Sequence, residues 1–118
     1  MKYLVTIFVA VMLGVLSQNE VLADKESDAK LTAGKELTFN RKKGNCLACH
    51  QIADGSLNGN VAPPLFHMKA RFPNKADLRA QIWDSRIKNR TTVMPPFGSH
   101  GILSNKEIDL IVDYIYSL

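Results

Sequence analysis

Cys46 and Cys49, the two cysteines of this chain, are separated by two residues and followed at once by His50. That order of residue types is the attachment pattern of a c-type haem. The two thiols can each add across a vinyl group on one edge of a porphyrin. His50, next in line, is then held where its imidazole can ligate the iron from one face. The stretch Asn45-Cys46-Leu47-Ala48-Cys49-His50 therefore points to one covalently attached haem c, anchored by Cys46 and Cys49 and ligated by His50. Two other chemistries use paired cysteines. Thiol–disulfide catalysts sit on a βαβ framework, and no strand pattern precedes this motif. A zinc site would need a fourth ligand beside His50.

The motif leaves the opposite face of the iron to be closed from elsewhere. A metal-bound histidine normally gives its other ring N–H to a carbonyl or carboxylate, which fixes its orientation. Pro63, thirteen residues after His50, opens a Pro63-Pro64 pair whose fixed φ leaves a rigid, free carbonyl. It can support His50, or it can simply stiffen a loop. The candidates for the second ligand are His67, Met68, Met94 and His100. If Pro63 stands on the His50 side, the four residues to His67 span at most about 14 Å, a tight path around a porphyrin edge. Met68 is little better placed. Met94 lies beyond a full helix, in Thr91-Thr92-Val93-Met94-Pro95-Pro96-Phe97-Gly98, where the prolines exclude a helix and leave few conformations. His100 is sterically open in a looser loop, and a water-bound or open iron is the remaining arrangement. Met94 is the favoured ligand. Thioether ligation raises the reduction potential relative to bis-histidine ligation and leaves no position for a small molecule. Such a site transfers electrons.

The elements that must position these residues follow from periodicity and punctuation. At 118 residues the chain is one domain, near the size at which an apolar core alone gives marginal stability. An apolar fraction of 46% argues for a packed protein. Residues 24–40 read as a helix capped by Ser27 or Asp28, with Leu31, Leu37 and Phe39 on one side. Gly34 inside it marks either a close helix approach or a frayed, weak helix, since it costs about 1 kcal/mol against alanine. Arg41-Lys42-Lys43 would complement its last turn, and Gly44 would end it. Residues 51–64 read as loop, from Asp54-Gly55, Asn58-Gly59-Asn60 and Pro63-Pro64. The spacing of Leu78, Ile82 and Ile87 predicts a helix from Asn74 to about Asn89, with Asn74 as its cap. Trp83, the only tryptophan, suits packing on the porphyrin with its N–H toward a propionate, and equally an ordinary core position. Ser104-Asn105-Lys106-Glu107 is a capping box opening the strongest amphipathic pattern, with Ile108, Ile111, Val112, Ile115 and Leu118 on one side. The fold class is all-α: three main helices and long loops around a cofactor.

The formal net charge is +4, and two ionised propionates would bring the holoprotein to about +2. Basic and acidic residues alternate, so the balance excludes nucleic acid as a partner and allows only weak steering toward an acidic one. Lys2, an apolar run from Tyr3 to Leu16 and the small-residue stretch Val21-Leu22-Ala23 read as a signal peptide cleaved after Ala23. As a helix the run reaches only about 21 Å, short of a hydrocarbon core of about 30 Å, so stable membrane insertion is not expected. The expected domains are thus a leader, 1–23, and a cytochrome domain, 24–118. Export would place the cysteines in an oxidising compartment, where free thiols do not persist.

The order of helix, Cys-x-x-Cys-His, proline loop, middle helix, methionine loop and final helix resembles a class I cytochrome c. Three blocks resemble, more narrowly, the SoxX subunit of the sulfur-oxidising SoxAX cytochrome complex. They are Lys42-Lys43-Gly44-Asn45-Cys46-Leu47-Ala48-Cys49-His50, then Ala70-Arg71-Phe72-Pro73-Asn74-Lys75 with Ile82-Trp83-Asp84, and Met94-Pro95-Pro96-Phe97-Gly98 with His100-Gly101-Ile102-Leu103. The resemblance implies a periplasmic monohaem subunit docked on a SoxA cytochrome. That complex joins thiosulfate oxidatively to a cysteine on the SoxY part of the carrier SoxYZ. The catalytic cysteine belongs to SoxA, so this chain would be a non-catalytic subunit that accepts electrons and passes them to a downstream cytochrome. By the family pattern Cys46 and Cys49 hold the haem, His50 and Met94 ligate its iron, and Pro63 supports His50. Ala62 departs from the glycine that class I cytochromes usually place before that proline. Gly34 then reads as the crossing point with the last helix, against Tyr114 or Ile111. A free monohaem carrier of a periplasmic respiratory chain is the alternative to a fixed subunit.

Overall fold

The computed structural model describes the backbone from Lys2 and the side chains from Glu20 to Leu118. The predicted leader lies outside the described side chains as far as residue 19. Four helices follow in order: α1 (Lys2–Phe39), α2 (Met68–Arg71), α3 (Lys75–Trp83) and α4 (Asn105–Ser117). Single 3₁₀ turns occupy Cys46–Ala48 and Ser85–Ile87, and the described residues include no strand. The chain is all-α, as its periodicity predicts. Among the described residues no helix is long and apolar enough to cross a membrane.

The helix with the clearest apolar stripe, α4, is the one the other three helices pack against. At the start of α4 the Ser104 hydroxyl accepts the Glu107 N–H while the Glu107 carboxylate accepts the Ser104 N–H. Two N–H groups that a helix start leaves unpaired are satisfied in this way. Ile108, Ile111, Val112 and Ile115 are then buried in register, joined in the core by Ile52, Met68, Leu78, Ile82, Phe97 and Leu103.

Gly34 is where α1 crosses α4. A Cβ at this position would fall inside the contact radius of the Leu110 carbonyl oxygen and 2.9 Å from the Tyr114 Cβ. The glycine is therefore a close helix approach and not a frayed turn, with the Leu110 backbone in the place expected for Ile111. Thr38, fully buried one turn on, returns its hydroxyl to the Gly34 carbonyl at 2.7 Å. The helix stops at Phe39, so Arg41-Lys42-Lys43 stand beyond its last turn and do not complement its dipole. They lie in a turn in which the Asn40 side chain accepts the Lys42 N–H and Gly44 N–H returns to the Leu37 carbonyl.

The middle helix is shorter than the apolar spacing predicts. It begins as expected, with the Asn74 side chain accepting the Ala76 N–H, and ends at Trp83. Asp84 turns extended (φ −156°, ψ 93°), and its carboxylate accepts the Arg86 N–H to cap the following 3₁₀ turn. A side chain that competes for backbone N–H groups ends the helix there, leaving Ile87 exposed and outside the core. Lys75–Asp113 and Arg79–Asp109 ion pairs fasten α3 to α4 at the surface. Lys43 pairs with Glu107 at 2.6 Å, tying the chain just before Cys46 to the start of α4.

Two stability predictions come from these contacts. Gly34→Ala gains about 1 kcal/mol of helix propensity but drives a methyl into a backbone carbonyl that cannot step aside. A net loss of about 2 kcal/mol, as for other overpacked sites, should appear in denaturant unfolding of the haem-loaded protein; unchanged or raised stability would show the crossing is not that tight. Glu107 is held down to about 2 by its bond to Lys43 and then by the Ser104 N–H. A carboxylate lowered in the folded state stabilises it above the unfolded value, near 4.5, and loses that contribution as pH falls toward 2. Stability should decline across that window, and Glu107→Gln should flatten the decline while lowering stability at neutral pH.

Candidate functional site

The haem motif is held by its backbone from three directions. Asn45 enters with φ +49°, a left-handed conformation that asparagine tolerates well. Cys46 then starts a 3₁₀ turn in which the Cys49 and His50 N–H groups both return to the Cys46 carbonyl. Gly59 N–H donates to the Leu47 carbonyl at 2.7 Å, so the 51–60 loop folds back over the turn. Inside that loop the Asn58 side chain accepts the Ile52 N–H and donates to the Gly55 carbonyl. The loop is anchored in turn to the helix crossing: the Tyr114 hydroxyl donates to Asp54 at 2.8 Å, and Asp54 pairs with Lys35 of α1. Lys35 holds the Asp54 carboxyl below the usual range, and burial, then Asp54, pushes the Tyr114 hydroxyl up.

The chain next runs alongside the motif in the same direction. Ala62 N–H donates to the Cys49 carbonyl and Leu65 N–H to the Gln51 carbonyl, at 3.0 and 2.8 Å. This short ladder sets Pro63 opposite His50. The His50 ring donates its Nδ1–H to the Pro63 carbonyl at 2.6 Å, since a carbonyl only accepts. With the proton on Nδ1, the Nε2 lone pair is free for a metal. Ala62 is not among the residues of positive φ, so nothing in this backbone requires the glycine usual in class I cytochromes.

Cys46 and Cys49 are half-buried and not bridged to one another. Burial pushes the Cys46 thiol up to about 11. That is the reverse of the lowered value that thiol–disulfide catalysts need. Among the described residues no cluster of three or more His, Cys, Asp and Glu side chains could hold a metal ion by itself. The donor set fits a haem instead: two thiols for an apolar macrocycle and one oriented imidazole for its iron.

The methionine loop is built separately, on the end of α3. Gly98 and Ser99 N–H groups both donate to the Trp83 carbonyl, at 3.0 and 3.3 Å. A Cβ on Gly98 would strike the six-membered ring of the Trp83 indole. Only glycine lets the loop lie on that ring, whose surroundings include the Arg79 guanidinium 5.4 Å from a ring centroid. Ser85, fully buried, donates its hydroxyl to the Met94 carbonyl at 3.1 Å, and Met94 N–H donates to the Thr92 hydroxyl. Asp84 and Arg86 form a forked ion pair, and the Ser99 hydroxyl donates to Asp84 at 2.8 Å. Arg86 and then Ser99 hold the Asp84 carboxyl well below the usual range.

Cys46, Trp83 and Met94 all pack against one apolar core. Met68 has a different place: it is buried beside α4, its N–H donates to the Leu118 carbonyl, and its sulfur accepts from Arg71. His67 and His100 are exposed. Asp54, Asn58, Asp84, Ser85 and Ser99 carry the support of both loops, and sequence reasoning did not single them out for it. The bonds by which they join separate segments span 6 to 60 residues, where no helical or strand period connects them.

Comparison with known proteins agrees with this architecture. The family model described as cytochrome c oxidase, cbb3-type, subunit III matches residues 29–115. A chain of the SoxXA crystal structure from P. pantotrophus superposes with a TM-score of 0.66 at 27% identity, covering 73% of this chain and 79% of that one. A search of curated proteins finds no match. With most of its length inside that family model, the chain belongs to the cytochrome c family of cbb3-type oxidase subunit III, an electron-transfer cytochrome carrying one covalently bound haem c, and it is similar in fold to a chain of SoxXA.

Proposed function

We propose that this chain is the electron-accepting haem subunit of a SoxAX-type complex in the periplasm, exported by a signal peptide cleaved after Ala23. In this reading it docks on a SoxA-type cytochrome that carries the catalytic cysteine. Joining thiosulfate to a carrier thiol of SoxYZ releases a proton and two electrons, which leave singly through haem centres toward a downstream cytochrome. The likeness to a SoxXA chain, in fold and over most of both lengths, is the observation that carries it.

Within that role, Cys46 and Cys49 would hold the haem by thioether bonds, and His50 Nε2 and Met94 Sδ would ligate its iron. The bound haem supplies a one-electron redox couple. Pro63 keeps the His50 proton on Nδ1, so the nitrogen left for the metal does not have to be deprotonated first. Trp83 would pack on the macrocycle as well as on Gly98. With His50 and Met94 as its two ligands, the iron would have no place for a substrate, and bond making would fall to the partner.

The ligand assignment is tested by Met94→Ala. The variant should lose the thioether–iron absorption band and show a lowered reduction potential; a retained band would move the assignment to Met68, and a parent protein without that band would move it to His100. The complex is tested with a tagged, haem-loaded chain. It should co-purify with a cytochrome bearing an active-site cysteine, through an interface of about 800 Å² per partner. In that complex haem reduction should require thiosulfate and the carrier together. A chain that stays monomeric and is reduced without them would be a free carrier.

A further inference from the structure

The loop that carries Met94 has no helix or strand of its own, yet its far end is gripped by a side-chain circuit distinct from the core. Three polar groups close it: Arg86 Nε and Nη2 donate to the two oxygens of Asp84 at 2.8 and 2.7 Å, the Ser99 hydroxyl donates to Asp84 Oδ2 at 2.8 Å, and Arg86 Nη2 reaches the Ser99 hydroxyl at 3.3 Å. The Asp84 side chain is only 12% exposed. Its backbone neighbours grip the same loop, with the Trp83 carbonyl holding residues 98 and 99 and the Ser85 hydroxyl holding Met94. Residues 83–86 therefore hold 94 at one end and 98–99 at the other. Pro95 and Pro96 stiffen what lies between them.

From this juxtaposition we infer that Asp84, Arg86 and Ser99 are positioning residues for the axial methionine, latching its loop shut against exchange of the sulfur for an outside ligand. The inference rests on Met94 being that ligand. A ligand supplied by a loop is lost when the loop swings away, and the apparent affinity of a competitor scales with the fraction of time the loop is open. The ionised pair makes the latch stronger than neutral hydrogen bonds would. Breaking it raises the open fraction while the Ser85 and Trp83 bonds keep the closed state the major one.

The experiment is titration of the ferric, haem-loaded protein with imidazole, following the thioether–iron band. Asp84→Asn should keep that band without competitor and bind imidazole about tenfold more tightly, an effect the size of one charge-assisted bond. Ser99→Ala, which removes a single hydroxyl, should move affinity the same way by a smaller factor and serves if the first variant does not accumulate. Thermal midpoints of the same samples separate a latch from general loosening. Gly34→Ala, matched to Asp84→Asn in midpoint, should leave imidazole affinity near that of the parent. Equal imidazole affinity in the parent, Asp84→Asn and Ser99→Ala overturns the latch, and so does an equal rise in Gly34→Ala. If Met94→Ala keeps the band, the ligand assignment itself has failed; if it loses the band while both latch variants bind imidazole as the parent does, only the latch has.

Discussion

The contact on which both haem loops depend is made at neither of them. It is the crossing of α1 and α4, where Gly34 meets the Leu110 carbonyl. Removing one side chain there brings two helix axes close enough for Tyr114 to reach Asp54 and for Lys43 to reach Glu107. Those bonds set the position of the segments on either side of Cys46-x-x-Cys49-His50. On its other flank α4 takes α3, and α3 ends in the residues that hold the methionine loop. The helix between them thus fixes the separation between the two halves of the site. Exposed ion pairs contribute little to this arrangement, each about 0.2–1 kcal/mol; the buried face of α4 carries most of the energy.

The two halves are held by different physics. The Cys46–His50 turn is fixed by backbone hydrogen bonds and, in the holoprotein, by covalent attachment. The Met94 loop has no covalent tie. Its position depends on one buried hydroxyl, one carbonyl, one glycine against an indole, and an ion pair. The division suits the proposed site: the anchored side would retain the cofactor, and the side held by weaker bonds would tune the iron.

How far the sequence could be read depended on the range of each interaction. The capping box, the α4 stripe, the Asn74 cap and the loop from 51 to 64 are local, and residue type with spacing gives them. Cys-x-x-Cys-His is local as well, because haem attachment needs adjacent groups on one turn. The end of the middle helix was misread because Asp84 overrides an apolar period that would otherwise run to Ile87. The basic run at 41–43 was misread because the helix stops at Phe39 and the chain turns on Asn40 before reaching it. Gly34 was legible only as a pair of alternatives, since one glycine in a helix costs the same energy whether it frays or packs. The Asp84–Ser99 and Asp54–Tyr114 bonds join residues 15 and 60 apart, and no pattern in a single sequence announces them.

The charge distribution bears on what such a chain can meet. Lys35, Lys43, Lys75, Arg79 and Arg86 are each engaged by a carboxylate within the molecule, so these five of the fifteen basic residues are matched at close range and the formal net charge stays at a modest +4. What the surface shows beside both loops is apolar instead: Val61 next to the Pro63 segment and Val93 next to Met94 are each more than two-thirds exposed. Long-range attraction would therefore add little to the association rate, and salt would change it little. A protein that finds its partner repeatedly by diffusion gains most from a strong unpaired field. One that keeps its partner gains from apolar surface that is covered once and stays covered. Val61 and Val93 are therefore where the proposed complex and a free carrier make opposite demands, since only a standing partner would cover them.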